Sequence, residues 1–363
     1  MIGLVFRSLR ARPTAALLLM AAIAIATATP SAVLAVSGAL KNRLAERAAT
    51  TPVVIGPAGS RLEVAAATLF FASAEVPPIS AADWRELKST FSGEALPIYL
   101  CGHLGKEIPL VATTPGYFRH RASRVEGDVL RRIGDVILGA TAARELDARV
   151  GELLTTEPES ILELVGPRPA RLKVVGVLAP SDTADDKAAF VSLRTAWAID
   201  GFGHSHGAVT ESESDILDLT NEAAAALHFH SDDRRLPLTS IIYLPADERD
   251  LLMLLAELKQ RDSTLGAVEP LRLLTKFRRD YDALEGTLFS VALVNVLVTL
   301  VLGLALILLV LRLRSSETRT LASLGISKGA IARLYGLELA IVMLTGMMIG
   351  GLLAWVIRWS AIG

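Results

Sequence analysis

The sequence predicts a membrane protein in which three transmembrane helices carry a large α+β domain outside the cytoplasm. Of its 363 residues, 52% are hydrophobic, and the mean hydropathy is +0.45, which is high for an ordinary soluble domain. The 21% of charged residues exclude a chain that is embedded in lipid throughout. Residues 39–286 carry 28 basic and 36 acidic residues, whereas both flanking parts are basic. An acidic surface repels phosphate, so the composition argues against a nucleic-acid partner.

Three apolar segments are long enough to cross a bilayer: residues 14–36, 288–311 and 334–357. At about 1.5 Å per residue such segments reach roughly 35 Å, and a hydrocarbon core is about 30 Å thick. The first segment also fits a cleaved signal peptide, because arginines precede it and Ala-rich sequence follows at residues 30–35. With either interpretation, the other two segments keep the protein in the membrane.

Basic residues near the apolar segments predict the orientation. They cluster before the first span and between the second and third, at Arg7, Arg10, Arg12, Arg312, Arg314, Arg319, Lys328 and Arg333. Basic residues also occur on the opposite flanks, but the predicted inner flanks carry fewer acids. The positive-inside rule then places both basic flanks in the cytoplasm and residues 39–287 outside it. The expected location is the inner (cytoplasmic) membrane. The predicted parts are a cytoplasmic N-terminus (1–13), span 1 (14–36), the outer domain (37–271), a stalk leading into span 2 (272–311), a cytoplasmic connector (312–333), span 3 (334–357) and a tail (358–363).

The outer domain mixes strand and helix patterns, which predicts an α+β class. Short β-branched runs bounded by Gly, Pro and Asp read as strands at residues 53–55, 136–138, 172–178 and 240–244. Apolar residues spaced as in a helix follow Asp247, which is a plausible N-cap. Residues 134–154 read as strand, turn, helix and second turn, with Gly139 and Gly151 at the breaks. The polar composition of residues 201–236 predicts a long exposed loop or insert.

The apolar stripe of span 2 extends beyond the predicted membrane. Its positions alternate in steps of four and three, at Leu274, Phe277, Tyr281, Leu284, Leu288, Val291, Asn295, Val298 and Leu302. One helix over residues 272–311 would measure roughly 60 Å and form a stalk. Val36, Leu40 and Leu44 continue span 1 in the same way and predict a paired stalk. The alternative is a separate amphipathic helix that ends before Gly286.

The connector predicts a helix leaving span 2, a break at Gly325, and a helix capped by Ser327 that runs into span 3. Leu324 and Ile326 would lie at the tip of a basic protrusion. Such an element either rests on lipid headgroups or docks into a groove of a soluble partner.

Two pairs of histidines are candidate ligands of a metal ion. His204, His206, His228 and His230 flank an acidic stretch, and imidazoles with carboxylates bind zinc or copper. The two interpretations are a loop that handles zinc or haem and a solvated polar loop.

Enzymatic chemistry has little support in the sequence. The chain has no GxxxxGK[ST], GxSxG or HExxH motif. Its scattered Asp and Glu residues are expected on the solvated surface, and no catalytic residue or resident cofactor is predicted. Cys101 is expected to be a small buried residue.

Two features of span 3 concern packing. Gly346 and Gly350 form a small-xxx-small pair that permits close helix approach, with a partner either in the same chain or in a second subunit. Glu338 is expected to be a structural anchor near the inner surface.

Several stretches carry a family resemblance. Residues 317–351 (ETRTLASLGISKGAIARLYGLELAIVMLTGMMIGG) resemble the signature of FtsX-like ABC-transporter permeases of the MacB and LolC/LolE type, with Glu317, Leu321, Leu324, Gly325, Ile331 and Glu338 in register. Residues 134–154 and 170–193 resemble the MacB periplasmic core domain. Residues 53–71 and 95–118 are similar to the corresponding parts of LolC/MacB-type permeases.

The resemblance implies a permease that forms a homodimer or heterodimer in lipid and binds a separate ATPase, which holds the ATP. Nucleotide-driven closure would pass up the stalks to the outer domain, as in efflux or lipoprotein export by mechanotransmission. Residue by residue, the ATPase-coupling element would comprise Glu317, Arg319, Leu321, Leu324, Gly325, Ile326, Ser327 and Lys328.

Two alternatives stay open on this resemblance. An FtsX-like regulator or sensor would control an extracytoplasmic partner without transport. Permeases of this layout normally have four spans, and this sequence has three, so it represents either a truncated sequence or a three-span variant whose C-terminus lies outside.

Overall fold

The computed structural model describes residues 10, 13–72, 76–105, 107–157, 169–203, 216–220, 236–260, 264–273 and 325–362, together with the single positions 224, 227, 229 and 275 and scattered positions between 286 and 323. Contacts divide the chain into two units: Arg43–Lys276, and Met1–Asn42 with Phe277–Gly363. The predicted stalk lies largely outside the described residues, because residues 276–285 are among those not described.

The unit Arg43–Lys276 is an α+β domain, as predicted. Its described helices are the end of α1 (Pro13–Ala49), α2 (Arg61–Phe70), α3 (Ala81–Thr90), α4 (Pro115–His120), α5 (Ala140–Glu145), a 3₁₀ helix (Ala184–Lys187), α6 (Leu193–Ile199) and α7 (Glu248–Gln260). Its described strands are β1 (Val53–Pro57), β2 (Ile79–Ser80), β3 (Glu94–Leu104), β4 (Ile108–Thr113), β5 (Val125–Gly127), β6 (Asp135–Leu138), β7 (Leu153–Glu157), β8 (Ala170–Leu178), β9 (Ala189–Ser192), β10 (Leu217–Asp218), β11 (Pro237–Leu238), β12 (Ser240–Leu244) and β13 (Leu265–Val268).

Among the described strands, eleven form one mixed sheet in the order β10-β8-β6-β9-β4-β3-β12-β1-β13. The remaining two members pair beside that path, β5 with β8 and β7 with both β3 and β8. The β4–β9, β6–β8 and β8–β10 pairs are parallel, and the other pairs of the sheet are antiparallel. β2 and β11 form a separate short ladder.

Both faces of the sheet are buried. Successive side chains of a strand point to opposite faces, so Val136 and Leu138 lie in the larger core, and Ile137, between them, lies in the smaller one. The smaller core includes an aromatic group whose rings pack edge-on or tilted: Phe71, Tyr117, Phe118 and Phe190. Phe71 directly after α2, Tyr117 in α4 and Ala184 in the 3₁₀ helix belong to this core or pack against it.

The four predicted strands and the helix after Asp247 are confirmed. β12 has the predicted bounds, and the Asp247 Oδ1 atom accepts a hydrogen bond from the Asp250 amide at 2.7 Å, as an N-cap does. The predicted turn at Gly139 lies between β6 and α5, and Gly151 has a positive φ of 100°.

The prediction of an exposed loop over residues 201–236 is wrong for its described part. β10 pairs in parallel with β8, and Leu219, Ala224, Leu227 and Leu236 are buried in the larger core. A few apolar residues are enough to pack a polar segment against the core. The average composition of the segment does not reveal them. Cys101 is buried in the same core, as expected.

The second unit contains the apolar part of α1 and a helix α8 (Lys328–Ile362). Within the described residues, Gly329–Trp359 is the helix that is long and apolar enough to cross a membrane, and Ala16–Thr29 is a shorter apolar stretch of α1. Residues 288–311 are described only at scattered positions, all helical. The predicted count of three spans is therefore not confirmed.

The helix α1 extends well beyond the predicted end of span 1 at residue 36. Its 37 residues continue to Ala49 and include Pro30, which has no amide hydrogen for the helical ladder. Hydroxyl groups bond to carbonyls one turn back on both sides of Pro30, from Thr29 to Ile25 at 2.9 Å and from Ser31 to Thr27 at 2.8 Å. Such side-chain bonds are typical of helices that tolerate a proline.

Candidate functional site

The last turn of α1 is fastened to the outer domain by a buried ion pair. The Arg47 guanidinium donates from Nη1 to Asp185 Oδ2 at 3.0 Å and from Nη2 to Asp185 Oδ1 at 2.7 Å. Both side chains are 5% exposed. Arg47 lies one turn after Leu44, and Asp185 lies in the 3₁₀ helix that precedes β9. The pair is therefore bidentate, with two parallel N–H···O bonds between the guanidinium and the carboxylate.

Two further groups complete the hydrogen bonding of this pair. The Tyr117 hydroxyl of α4 donates to Asp185 Oδ1 at 2.6 Å and accepts from Arg47 Nη2 at 2.8 Å. Arg47 Nε donates to the Leu69 carbonyl at 3.1 Å, near the end of α2 where helix carbonyls lack helical partners. Arg47, Tyr117 and Asp185 are called the anchor below.

The pKa values of Arg47 and Tyr117 depend on the other members of the anchor. Burial alone lowers the pKa of Arg47, but interactions with Tyr117 and Asp185 outweigh burial and raise that pKa above its ordinary value. Burial, followed by the Asp185 charge, raises the pKa of Tyr117, so its hydroxyl stays protonated and can donate. Removing Arg47 or Asp185 would leave the other buried charge without its partner, which is strongly destabilising.

Close packing holds Asp185 in place. A Cβ atom on Gly139 would lie 2.2 Å from the Asp185 carbonyl oxygen, so only glycine fits where α5 begins. The Asp186 carboxylate accepts hydrogen bonds from the Ser181 and Asp182 amides at 2.8 to 3.0 Å and closes the preceding loop. The two segments that resembled the MacB periplasmic core domain therefore meet at this loop.

The expectation that acids lie on the solvated surface is wrong at several positions. Four aspartates are buried: Asp135, Asp185, Asp186 and Asp250. Each accepts hydrogen bonds from backbone or side-chain donors, which is what allows a carboxylate to be buried.

Backbone strain is concentrated in segments that form the anchor. Four non-glycine residues among those described have positive φ angles, and three belong to these segments: Phe71 at 54°, Ala122 at 50° and Asp182 at 55°. The Phe71 ring lies 5.7 Å from the Arg47 guanidinium carbon. Left-handed backbone at non-glycine residues is unfavourable and is found where the surrounding structure enforces it, often at functional sites.

Half of the predicted ATPase-coupling element can be described. Gly325 has a φ of 85°, Ile326 is 40% exposed, and the Ala330 amide donates to Ser327 Oγ at 3.3 Å where α8 begins at Lys328. The predicted break and helix start are thus confirmed as local structure. Glu317, Arg319, Leu321 and Leu324 lie outside the described residues.

The glycine pair of α8 lies against α1. A Cβ atom on Gly346 would lie 2.9 Å from Ile23 Cβ, and one on Gly350 would lie 2.0 Å from Thr27 Oγ1. Every fourth residue of α8 is buried in this row, at Val342, Gly346, Gly350 and Ala354. The partner helix is thus in the same chain.

The four histidines of the metal hypothesis, His204, His206, His228 and His230, lie outside the described residues. In the part of the chain that the structure describes, no group of three or more His, Cys, Asp or Glu side chains is arranged to hold a metal ion.

The sequence analysis missed Arg47 as a site residue. The stripe Val36, Leu40 and Leu44 continues by three residues to Arg47, where a seam requires an apolar side chain. A charge at that position is the signal that a buried partner exists. The identity of the partner was not readable, because Asp185 lies 138 residues away.

Comparison with known proteins gives one family match. A model of the MacB-like periplasmic core domain matches residues 16–226. No curated protein sequence matches the chain.

Two solved structures are similar at low identity. The periplasmic region of MacB from Actinobacillus actinomycetemcomitans is 11% identical, with a TM-score of 0.37 over 62% of this chain and 92% of that one. The extracellular domain of the noncanonic ABC-type transporter YknZ from Gram-positive bacteria is 10% identical, with a TM-score of 0.34 over 60% of this chain and 97% of that one.

Proposed function

The chain belongs to the FtsX/MacB-like family of ABC-transporter permeases, and from this premise we propose that it is a permease subunit that works by mechanotransmission. A separate ABC ATPase binds and hydrolyses the ATP, and this chain contributes no catalytic residue. The resulting movement passes along the helices to the outer domain, which exports or extracts a hydrophobic substrate.

The observation that carries this proposal is the joint between α1 and the outer domain. The 37 residues of α1 reach roughly 55 Å, almost twice the thickness of a hydrocarbon core. Both terminal guanidinium nitrogens of Arg47, in the last turn, donate to Asp185. A loosely attached linker would transmit little displacement, so this buried bidentate ion pair supports the proposal.

The membrane arrangement in this proposal has three spans in the inner membrane. Residues 14–36 and 334–357 form two spans, and 288–311 forms the third. The apolar side chains of α8 that face away from α1 are exposed, including Leu344, Met348, Leu352 and Trp355. Their exposure supports contact with lipid or with the helices of a second permease subunit.

The ATPase docks at the turn before α8. Gly325 takes a left-handed conformation that turns the chain sharply, and the exposed Ile326 follows it at the tip. An exposed apolar residue on a basic segment fits a groove of a soluble partner.

Affinity purification from native membranes tests the proposal. Tagged parent chain should co-purify with a Walker-motif ATPase, and Ile326→Asp should lose it while still inserting into the membrane. Gly325→Trp should also lose it, and Gly325→Ala, which strains the same turn without bulk, is the control that separates docking from folding. Retention of the ATPase by both Ile326→Asp and Gly325→Trp would contradict the docking site.

A second measurement distinguishes transport from regulation. Reconstituted complexes of a transporter should hydrolyse ATP faster when their substrate is added. A complex that never responds to candidate lipoproteins, peptides or hydrophobic drugs, but does change the activity of an extracytoplasmic enzyme, would be a regulator.

A further inference from the structure

The end of α1 is held by a second basic residue, which reaches it from the outer domain. Arg121, directly after α4, donates from Nη1 to Thr50 Oγ1 at 2.6 Å and from Nη2 to Thr51 Oγ1 at 2.8 Å. Those two hydroxyls in turn donate to the Arg47 carbonyl at 3.1 and 3.0 Å. The neighbouring His120 ring bonds through Nε2 to the Thr50 carbonyl at 2.7 Å.

This arrangement is a cap on the C-terminal end of a long helix. The last carbonyls of a helix lack helical partners, and the aligned peptide dipoles leave partial negative charge there. A guanidinium group and an imidazole N–H are suitable groups to satisfy such carbonyls. Burial lowers the pKa of both Arg121 and His120, and the helix end offers the compensating polar surroundings.

The two arginines act at different points of the same helix. Arg47 extends sideways from the last turn into the domain, whereas Arg121 binds the residues that follow this turn. A single point of attachment lets a helix swing, and two points fix its direction. Because Thr50 and Thr51 lie three and four residues beyond Arg47, the two attachments are about 5 Å apart along the axis.

Tyr117 connects the two attachments. Its hydroxyl bonds to the Arg47–Asp185 pair, and the Arg121 guanidinium carbon lies 5.6 Å from the centre of its ring. A cation above an aromatic ring is attracted to the ring face. The Arg121 Nε atom is buried without a hydrogen-bond partner among the described residues, so the side chain is held by its two end nitrogens and the ring.

We propose that Arg121 is a positioning residue that sets the direction in which α1 leaves the outer domain, whereas Arg47 sets the attachment itself. This inference rests on the proposed function, because direction matters only if α1 transmits movement. Without Arg121, α1 would stay attached through Arg47 but could rotate about that attachment. A displacement of the far end of α1 would then produce a smaller displacement of the outer domain.

Pulsed electron paramagnetic resonance on the full chain in lipid nanodiscs tests this assignment. The labels are placed at Gly38→Cys, where a new Cβ meets no atom within 4 Å, and at the exposed Arg149→Cys, in a Cys101→Ala background. At about 1.5 Å per residue the first label stands roughly 14 Å from Arg47, so a swing of about 15° moves it by about 4 Å.

Arg121→Met should broaden the distance distribution by about that amount, and Arg121→Lys, which reaches one hydroxyl instead of two, should broaden it less. Arg124→Met, an exposed arginine on the same loop, should leave the width unchanged. The double substitution Thr50→Val with Thr51→Val removes the same hydrogen bonds from the helix side. This double variant should broaden the distance distribution as much as Arg121→Met does. Agreement between the two variants would show that the broadening does not come from misfolding of Arg121→Met.

An unchanged width in both Arg121→Met and the double threonine variant would overturn the proposal. A broadening that appears equally in Arg124→Met would also overturn it, because it would reflect general loosening. The measurement needs no ATPase, so its outcome is independent of whether an ATPase co-purifies, which tests the proposed function separately.

Discussion

Arg47 and Asp185 lie 138 residues apart in the sequence and form a bidentate ion pair at 2.7 and 3.0 Å in the interior of the outer domain. The pair joins the last turn of α1 to a short helix that β9 and Gly139 hold in place. Burying this pair removes two charges from water, which costs free energy that an exposed ion pair would not cost.

Breaking this pair from either side should destabilise the outer domain. Arg47→Met and Asp185→Asn should each lower the free energy of unfolding by about 3–5 kcal/mol, because the remaining charge is buried without its partner. Denaturation followed by tryptophan fluorescence measures the change.

The double variant Arg47→Met with Asp185→Leu should recover much of that loss, since no uncompensated charge remains. Asp128→Asn, which breaks the exposed pair with Arg131, is the control and should have a much smaller effect. Single variants as stable as this control would show that the anchor contributes nothing to stability.

The Tyr117 hydroxyl should make stability sensitive to alkaline pH. Burial and the Asp185 charge raise the pKa of Tyr117 above its ordinary value near 10, so the protonated hydroxyl stabilises the fold below about pH 10. That contribution is lost as the pH rises above this value, because the unfolded tyrosine ionises first. Tyr117→Phe should cost about 1–3 kcal/mol at neutral pH and show a shallower decline above pH 10. An identical alkaline slope in parent and variant would argue against this assignment.

The strained backbone at Ala122 predicts a stabilising substitution. Glycine adopts a φ of 50° without the steric cost that alanine bears, so Ala122→Gly should raise the free energy of unfolding by about 1 kcal/mol. Ala45→Gly, at an exposed position inside α1, should do the opposite by a similar amount. The same sign of change in both variants would mean that strain at Ala122 is not relieved.

The close approach of α8 to α1 predicts a sharp difference between two adjacent glycines. Gly350→Ala places a methyl group 2.0 Å from Thr27 Oγ1, and overpacking of this kind costs about 1–3 kcal/mol. Gly351→Ala meets no atom within 4 Å and should be tolerated. Thermal stability of the full chain in detergent compares the two, and equal effects would contradict the helix pairing.

Local pattern predicted much of the fold, and tertiary contacts decided the rest. Strands such as Ser240–Leu244 were readable because β-branched residues between turn residues have few alternatives. Asp185 was not readable, since it stands in a run of Ser, Thr and Asp that resembles a solvated loop. Only its partner on α1 makes it a core residue, and a pairing over such a separation leaves no periodic trace in the sequence.

The movement of the outer domain during ATP hydrolysis tests the central claim most directly. A fluorophore on Arg149→Cys and acceptor lipids in a nanodisc would report the distance between domain and bilayer in complexes with the co-purified ATPase. We expect an ATP-dependent change in the parent and in Asp128→Asn, and its loss in Arg47→Met although that variant still binds the ATPase. A full ATP-dependent change in Arg47→Met would show that the force reaches the domain by another route.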